Sequence, residues 1–279
     1  MAPDRPIITS TGNPRIVEAR KLDQRKHRQQ QSRFLVEGLQ LLHMALDAGL
    51  RPLEVFFCRA LFTGPEAPAL MERFRCVGAA LQPVSVNVMQ ALSDRDTPQG
   101  IVAAFALYDT PLGSLTLSSS DLVVVLDRLQ DPGNLGTLLR TADAVGAAAV
   151  VIVAPAADPF DPRTVRASMG SLFNLPVAVT GDVPALFDWL RACGLRTIGA
   201  DAQRGEAWTR CEWRGGAALI LGNEARGLSD DLAAGVNMWA ALPIVGRAES
   251  LNVAVAGGVL MYTWLQHNRL EAAQPSLQP

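Results

Sequence analysis

The second half of the chain alternates between short apolar runs and segments with helical periodicity. DLVVVLD, AAAVVIVAP and ALILG are almost entirely apolar, which is typical of parallel strands buried on both faces. NLGTLLRTADAVG and DVPALFDWLRACG repeat apolar residues at helical spacing, as does the last helix, NVAVAGGVLMYTWLQHNRL. PVAVT, LRTIGA and WAALPIV add further strands. The pattern predicts an α/β domain with a parallel sheet over residues 121–270.

The first part of the chain predicts a smaller α/β domain. RFLVEGLQLLHMALDAGL is interpreted as a short strand followed by an amphipathic helix, and LEVFFC, LQPVSVNV and GIVAAFAL as strands. The hydrophobic pattern then breaks in LYDTPLGSLTLSSS, which is rich in turn residues. We therefore expect an N-terminal domain at 1–106 and a linker at 107–120.

Composition excludes several classes of protein. The longest apolar stretch, 144–157, is interrupted by Gly and Pro and is shorter than the roughly 20 residues of a membrane span. The four cysteines show no CxxC spacing, which argues against a zinc site or a disulfide framework and favours the reducing cytoplasm. The three histidines are far apart in sequence and near no acidic cluster, so we expect no metal.

Charge is distributed unevenly. Residues 1–33 contain eight Lys or Arg and three Asp or Glu, a balance of 8 − 3 = +5. Because the net charge of the chain is −2, the remaining residues must carry a charge of −7. A basic arm favours contact with nucleic acid, although a solvated, partly disordered terminus has the same composition. The candidate RNA contacts are Arg15, Arg20, Lys21, Arg25, Lys26, Arg28 and Arg33.

Three segments of the second half combine polar residues and glycines after predicted strands. They contain Asn134 and Arg140, then the turn 222–227, then Ser250 and Asn252. Each also has an ordinary structural explanation, as a helix N-cap or a glycine-rich turn. The carboxyl ends of strands are nevertheless where open α/β sheets bind ligands. The segments lack the GxGxxG and GxxxxGK[ST] patterns of dinucleotide and P-loop sites.

Taken together and in this order, the three segments resemble the motifs of the SpoU (TrmH-type) branch of the SPOUT RNA methyltransferases. That family has an Asn followed six residues later by Arg, then GNE-x-x-G, then a Pro-containing strand end leading to SLNV. The resemblance covers about 118–268. Ala225 and Ala254 depart from the family pattern, where Gly and Ser are common. RFLVEG and SDRDTPQGIVAAF resemble the ribosomal-protein-like substrate domain that often precedes the catalytic domain.

The resemblance implies a parallel sheet with a deep trefoil knot and methyl transfer from S-adenosylmethionine to a ribose 2′-hydroxyl of RNA, ribosomal RNA being favoured over transfer RNA. It implies a homodimer buried around 250–266 and no metal. The implied catalytic residues are Arg140, Asn134, Glu224, Ser250 and Asn252. The implied cofactor contacts are Gly222, Leu242 and Leu251, with Gly199 and Ala200 as additional candidates.

Arg140 has two possible roles under this resemblance. It could act as the general base, or it could hold the ribose and an adjacent phosphate, which suits a guanidinium that stays protonated at neutral pH. Two other functions remain open at this point. A dinucleotide-dependent oxidoreductase is disfavoured by the missing glycine pattern. A non-catalytic RNA-binding factor on the same fold would be expected to lack Arg140, Glu224 or Asn252, and all three are present.

Overall fold

A computed structural model describes residues 5–223 and 226–270 of the 279-residue chain. The first part of the chain contains α1 (Pro14–Lys21), α2 (Arg25–Gln31), β1 (Arg33–Glu37), α3 (Leu39–Asp47), β2 (Pro52–Phe57), α4 (Glu66–Cys76), β3 (Leu81–Pro83), α5 (Val86–Leu92) and β4 (Ile101–Ala106). The second part contains β5 (Leu122–Asp127), α6 (Pro132–Ala144), β6 (Ala149–Val153), α7 (Pro162–Ala167), α8 (Ser171–Asn174), β7 (Val177–Thr180), α9 (Val183–Ala192), β8 (Arg196–Ala200), β9 (Glu206–Ala207), β10 (Ala217–Leu221), α10 (Asp230–Ala233), β11 (Met238–Ala241) and α11 (Val253–Leu265).

The chain forms two compact units. One consists of the residues up to Tyr108 together with Phe160–Phe173, and the other of Asp109–Pro159 and the chain from Asn174 onward. Sequence pattern assigned 160–173 to the C-terminal domain, but in the structure α7 contacts β1 of the N-terminal unit. Phe160 explains part of this placement, because its ring lies 4.8 Å from the ring of Phe34 and 4.9 Å from that of Tyr108.

The N-terminal unit is built on a four-stranded sheet in the order β1-β4-β2-β3. β4 is antiparallel to both β1 and β2, whereas β3 is parallel to β2. The predicted strand LQPVSVNV is wrong over most of its length, because only Leu81–Pro83 belongs to the sheet and Val86–Leu92 is the helix α5. Val88, Met89 and Leu92 are buried, a helical spacing that the alternation V-S-V-N-V concealed.

The basic arm forms two helices. Asn13 caps α1 by accepting a hydrogen bond from the Arg15 amide at 3.0 Å, and Pro14 occupies the first helical position. Ile16, Ala19 and Leu22 are fully or almost fully buried, so α1 packs on the unit through an apolar face. The residues from 14 to 31 are therefore mostly ordered in helices, unlike the partly disordered terminus that the charge pattern also allowed.

The second unit contains a seven-stranded sheet in the order β7-β6-β5-β10-β8-β11-β9, and all of its strand pairs are parallel. This confirms the predicted α/β class with a parallel sheet. The three strands β5, β6 and β10, which are almost entirely apolar, are buried along their whole length. β11 ends at Ala241, before the predicted end of WAALPIV, and Pro243 cannot donate a ladder hydrogen bond.

Leu186 and Leu190 of α9 pack with Val123, Val151 and Ala218 in the core of this unit. Three leucines of the predicted linker, at positions 112, 115 and 117, also pack against that core, so this segment is attached to the second unit. Within the described residues, no helix is both long enough and apolar enough to cross a bilayer.

Candidate active site

A cavity of about 350 Å³ lies at the carboxyl ends of β8, β10 and β11. This volume falls within the roughly 300–1,000 Å³ of small-molecule sites. Four of the five predicted cofactor positions line the cavity, namely Ala200, Gly222, Leu242 and Leu251. Gly199 is not in the lining. A Cβ at Gly199 would lie 2.8 Å from the Trp239 ring, so this glycine serves packing within the sheet.

The turn after β10 forms part of the cavity wall. The Asn223 amide donates to the Gly227 carbonyl at 3.0 Å, and the Gly227 amide donates to the Asn223 carbonyl at 2.9 Å. Gly227 has a φ of +66°, which favours glycine. A Cβ at Gly222 would lie only 2.7 Å from both the Gly227 oxygen and the Leu228 nitrogen. Gly222 is therefore required because another backbone segment passes directly over it.

A buried carboxylate anchors this turn to the neighbouring strand. Asp127, the last residue of β5, is completely buried and accepts hydrogen bonds from the Ser229 amide at 2.6 Å and from Arg128 Nε at 3.0 Å. Arg128 has a φ of +51°, and its carbonyl accepts a hydrogen bond from Asn223 Nδ2 at 3.0 Å. Asp127 and Arg128 thus hold both ends of the segment between Asn223 and Ser229.

Asn134 and Asn252, 118 residues apart in sequence, meet in the structure. Asn252 Nδ2 donates to Asn134 Oδ1 at 3.0 Å. Asn252 is also the N-cap of α11, because its Oδ1 accepts from the amides of Ala254 and Val255 at 2.9 and 3.3 Å. The cap of α6 is Asp131, which accepts from the Asn134 amide at 2.7 Å, so Asn134 lies in the first turn of that helix.

The other three predicted catalytic residues have different positions. Ser250 is exposed and lines the cavity. The sequence also allowed Ser250 to be the N-cap of the last helix, but the N-cap of α11 is Asn252. Arg140 is exposed, and its side chain makes no hydrogen bond or ion pair with any residue that the structure describes. It lies six residues after Asn134, about 9 Å along the helix axis and on another face of α6. Glu224 and Ala225 lie outside the described residues.

The seven arm residues divide into two groups. Arg28 is only 1% exposed and donates to the carbonyls of Leu22 and Asp23 at 2.9 and 2.8 Å, so its side chain serves the fold and cannot present its charge to RNA. Arg15 forms an ion pair with Glu54, and Arg33 lies 4.0 Å from the same carboxylate.

The remaining arm positions are more accessible. Lys21 pairs with Glu18 at 2.7 Å on the surface, and this contact lowers the pKa of the Glu18 carboxyl. Arg20, Arg25 and Lys26 are exposed.

Two of the four cysteines are poorly suited to act as nucleophiles. Burial raises the pKa of the Cys193 and Cys211 thiols, and the nearby Glu206 carboxylate raises that of Cys211 further. Both thiols are therefore protonated at neutral pH, whereas the thiolate is the reactive form. Between residues 5 and 270, apart from 224 and 225, no group of three or more His, Cys, Asp or Glu residues could hold a metal ion.

Sequence reasoning missed Asp127, Asp131 and Arg226. Asp127 carried a signal, since it is a charged residue at the end of an otherwise apolar strand, but its partner Ser229 is 102 residues away. Asp131 precedes a proline, which is typical of a helix start. Arg226 lines the cavity and has no comparable local signal.

A family model for the SpoU rRNA methylase family matches residues 121–262. The chain belongs to this family. A second model, for an MRM3-like substrate binding domain, matches residues 13–103. The chain is 33% identical over 255 residues to the 23S rRNA (guanosine(2553)-2′-O)-methyltransferase RlmP of Bacillus subtilis, covering 91% of this chain and 97% of that protein.

Solved relatives share the fold over almost the whole SpoU chain. The AdoMet-bound rRNA methyltransferase from Sinorhizobium meliloti is 33% identical with a TM-score of 0.86, covering 94% of this chain and 98% of that one. The SpoU methyltransferase AviRb from Streptomyces viridochromogenes, in complex with the cofactor AdoMet, is 25% identical with a TM-score of 0.83, covering 94% and 100%. These similarities support neither the oxidoreductase nor the non-catalytic alternative.

Proposed function

We propose that this SpoU-family chain methylates a ribose 2′-hydroxyl of ribosomal RNA, uses S-adenosylmethionine as methyl donor, and works as a homodimer. The proposal depends chiefly on one observation: the cavity lined by Gly222, Leu242 and Leu251 lies at the sheet edge where the first turn of α6 and the N-cap of α11 carry the hydrogen-bonded pair Asn134–Asn252. RlmP, matched over 91% of this chain, is named as a 23S rRNA 2′-O-methyltransferase.

The cavity fits the methyl donor in size and chemistry. Leu242, Ile244 and Leu251 provide aliphatic surface suited to an adenine ring, and Asp201, Arg226 and Glu249 bring both charge signs to the lining. An amino-acid moiety carries both an ammonium and a carboxylate, so such a lining can hold each end. When bound, S-adenosylmethionine supplies a methyl group already activated by a sulfonium.

The chain itself has to align the ribose and help to remove its hydroxyl proton. Ser250 lines the cavity and offers a hydroxyl at its edge, while the Asn134–Asn252 pair fixes two amide groups near the start of α11. Arg140 is suited to hold the ribose and an adjacent phosphate through its fork of donors. We retain Glu224 as a further contributor to the site.

A homodimer would give Arg140 a role even though it does not line the cavity of its own chain. Val255, Val259 and Tyr262 are 56%, 39% and 52% exposed, and their i, i+4, i+7 spacing places them on one face of α11. Such an apolar stripe favours association with another copy. α11 packs against α6, and Arg140 is on an exposed face of α6, so it could serve the cavity of the partner subunit.

Three finer proposals complete this function. Exposed Arg20, Arg25 and Lys26, with Lys21 beside them, would attract RNA to the substrate-binding unit. The SpoU family resemblance also implies a trefoil knot in the C-terminal segment, which we keep as part of the proposal. The four cysteines are all free thiols, which supports a location in the cytoplasm.

The test is methyl transfer by the purified protein. With tritiated S-adenosylmethionine, unmodified ribosomal RNA should accept label at a ribose 2′-oxygen, whereas a transfer RNA transcript should not. Arg140→Ala should abolish single-turnover transfer at saturating RNA while leaving cofactor affinity near wild type. Arg191→Ala removes an exposed arginine of α9 and is the matched control. Label in transfer RNA alone would refute the substrate, and full activity of Arg140→Ala would refute its role.

A further inference from the structure

Two sequence motifs of the N-terminal unit meet at one point in the structure. RFLVEG consists of β1 and the glycine that leads into α3, and SDRDTPQG precedes β4, which pairs with β1. The Glu37 carboxylate accepts hydrogen bonds from Ser93 Oγ at 2.5 Å and from the Asp94 amide at 3.1 Å. Gln99 Oε1 accepts from the Leu39 amide at 3.1 Å. The two motifs thus jointly shape the start of α3.

The start of α3 offers unused backbone donors. Its N-cap is Gly38, with a φ of +111°, a conformation that favours glycine and supplies no capping side chain. The Leu39 amide is bound by Gln99, but no side chain among the described residues caps the amides of Gln40 and Leu41. The first turn also contains no acidic residue. No acidic side chain within the helix therefore balances the positive end of its dipole.

An unpaired guanidinium lies at the same place. A Cβ at Gly38 would be 2.8 Å from an Arg95 terminal nitrogen, so the guanidinium packs directly over the glycine. Arg95 Nε is buried and has no hydrogen-bond partner, and the side chain forms no ion pair with the described residues. A buried donor of this kind normally has a partner, because leaving it unsatisfied costs free energy. This observation is independent of the helix end and also points to an acceptor.

A cavity of about 400 Å³ connects these groups. It is lined by Gly38, Leu39, Gln40, Leu41, Arg95 and Gln99, and its other charged lining residues are Glu66 and Arg166. Arg166 is already paired with Asp94 at 2.6 Å, which leaves Arg95 as the available cation. Backbone amides, a helix dipole and a guanidinium together form the donor set that binds phosphate groups in proteins.

We propose that this cavity binds a backbone phosphate of the RNA substrate. The inference rests on the proposed function and adds to it a defined contact in the substrate-binding unit, outside the basic arm. Arg95 contributes the charge and bidentate hydrogen bonds, and the amides of Gln40 and Leu41 complete the cradle. The contact fixes the register of the RNA without reading its sequence, as phosphate contacts generally do.

The salt dependence of RNA binding tests the proposal directly. Binding of an unmodified ribosomal RNA transcript is measured over a series of salt concentrations for the wild type, Arg95→Gln and Arg95→Lys. Arg95→Gln should lower the slope of log affinity against log salt by about 0.7–0.9 and weaken binding about tenfold. Arg95→Lys should keep the slope, because it keeps the charge. Arg51→Gln removes another exposed arginine of the same unit outside the cavity and should leave both quantities unchanged.

A second variant separates binding from folding. Gln40→Glu places a carboxylate in the first turn of α3, which stabilises a helix N-terminus but repels phosphate. It should keep or raise the melting temperature and still weaken RNA binding several-fold. A wild-type salt slope for Arg95→Gln, or undiminished binding by Gln40→Glu, would overturn the inference.

Competition by inorganic phosphate and methylation assays distinguish a failure of this inference from a failure of the proposed function. If inorganic phosphate occupies the cavity while the Arg95 variants bind RNA normally, the ligand is free phosphate and the RNA proposal is wrong. In methylation assays, Arg95→Gln should raise KM for RNA with an unchanged kcat. If the wild type methylates ribosomal RNA and the Arg95 variants have an unchanged KM for RNA, only this inference is refuted. A wild type that methylates no RNA refutes the proposed function.

Discussion

Asn252 is expected to have two separable roles, one in the stability of α11 and one in the candidate site. Its Oδ1 caps the helix through the amides of Ala254 and Val255, while its Nδ2 donates to Asn134 Oδ1 at 3.0 Å. Asn252→Ala removes both functions. Asn252→Asp keeps the capping oxygen and replaces only the donor that faces Asn134. The two variants therefore divide the structural role from the role in the site.

The expected magnitudes follow from these contacts. Loss of a capping side chain costs about 0.5–2 kcal/mol, and the solvent-exposed bond to Asn134 adds about 0.5 kcal/mol. Asn252→Ala should therefore lower the free energy of unfolding by about 1–2 kcal/mol, or the melting temperature by about 2–8 °C. Asn252→Asp should lie within about 0.5 kcal/mol of wild type, because a carboxylate at a helix N-terminus offsets the lost bond.

Thermal unfolding and single-turnover methyl transfer measure the two roles separately. Both variants should transfer methyl groups at least tenfold more slowly at saturating RNA, which corresponds to a barrier raised by about 1.4 kcal/mol or more. Asp182→Ala removes the cap of α9, where Oδ1 accepts from the Ala185 amide at 2.9 Å, and should lower stability without slowing transfer. Wild-type transfer by Asn252→Asp would show that the pair with Asn134 is structural only. An unchanged melting temperature for Asn252→Ala would refute the capping argument.

Three further outcomes are expected. Asp127→Asn should lower the free energy of unfolding by about 1.5–3 kcal/mol and raise KM for S-adenosylmethionine, because a buried charged acceptor is lost; wild-type values in denaturant titration and kinetics would contradict this. Gly222→Ala should lose cofactor binding in calorimetry, since its Cβ would overlap the backbone of Gly227. Gly227→Ala is the control: a Cβ at Gly227 meets no other atom and is disfavoured only by the positive φ, so this variant should bind the cofactor more tightly than Gly222→Ala. Val259→Asp should shift light scattering from dimer to monomer mass, whereas a monomeric wild type would refute the dimer.

The sequence determined most of the second unit on its own. Strands such as Leu122–Asp127 are apolar up to their last residue because both faces of a parallel sheet are covered, and this pattern is visible without coordinates. The resemblance of the three polar segments to the SpoU motifs implied Gly222, Leu242 and Leu251 as cofactor contacts, and these three residues line one cavity in the structure. The apolar strands and the three motifs can be found in the sequence because each of them depends on residues that are close together along the chain.

Only the tertiary structure decided which polar side chains are available for function. Arg28 and Arg20 look equivalent in the arm, yet Arg28 is buried by its own unit and Arg20 is exposed. The side-chain pair Asn134–Asn252 depends on contacts between residues 118 positions apart. The unpaired Nε of Arg95 likewise becomes visible only once the chain is folded. Burial and pairing depend on which distant segments meet, and local propensity carries no information about that.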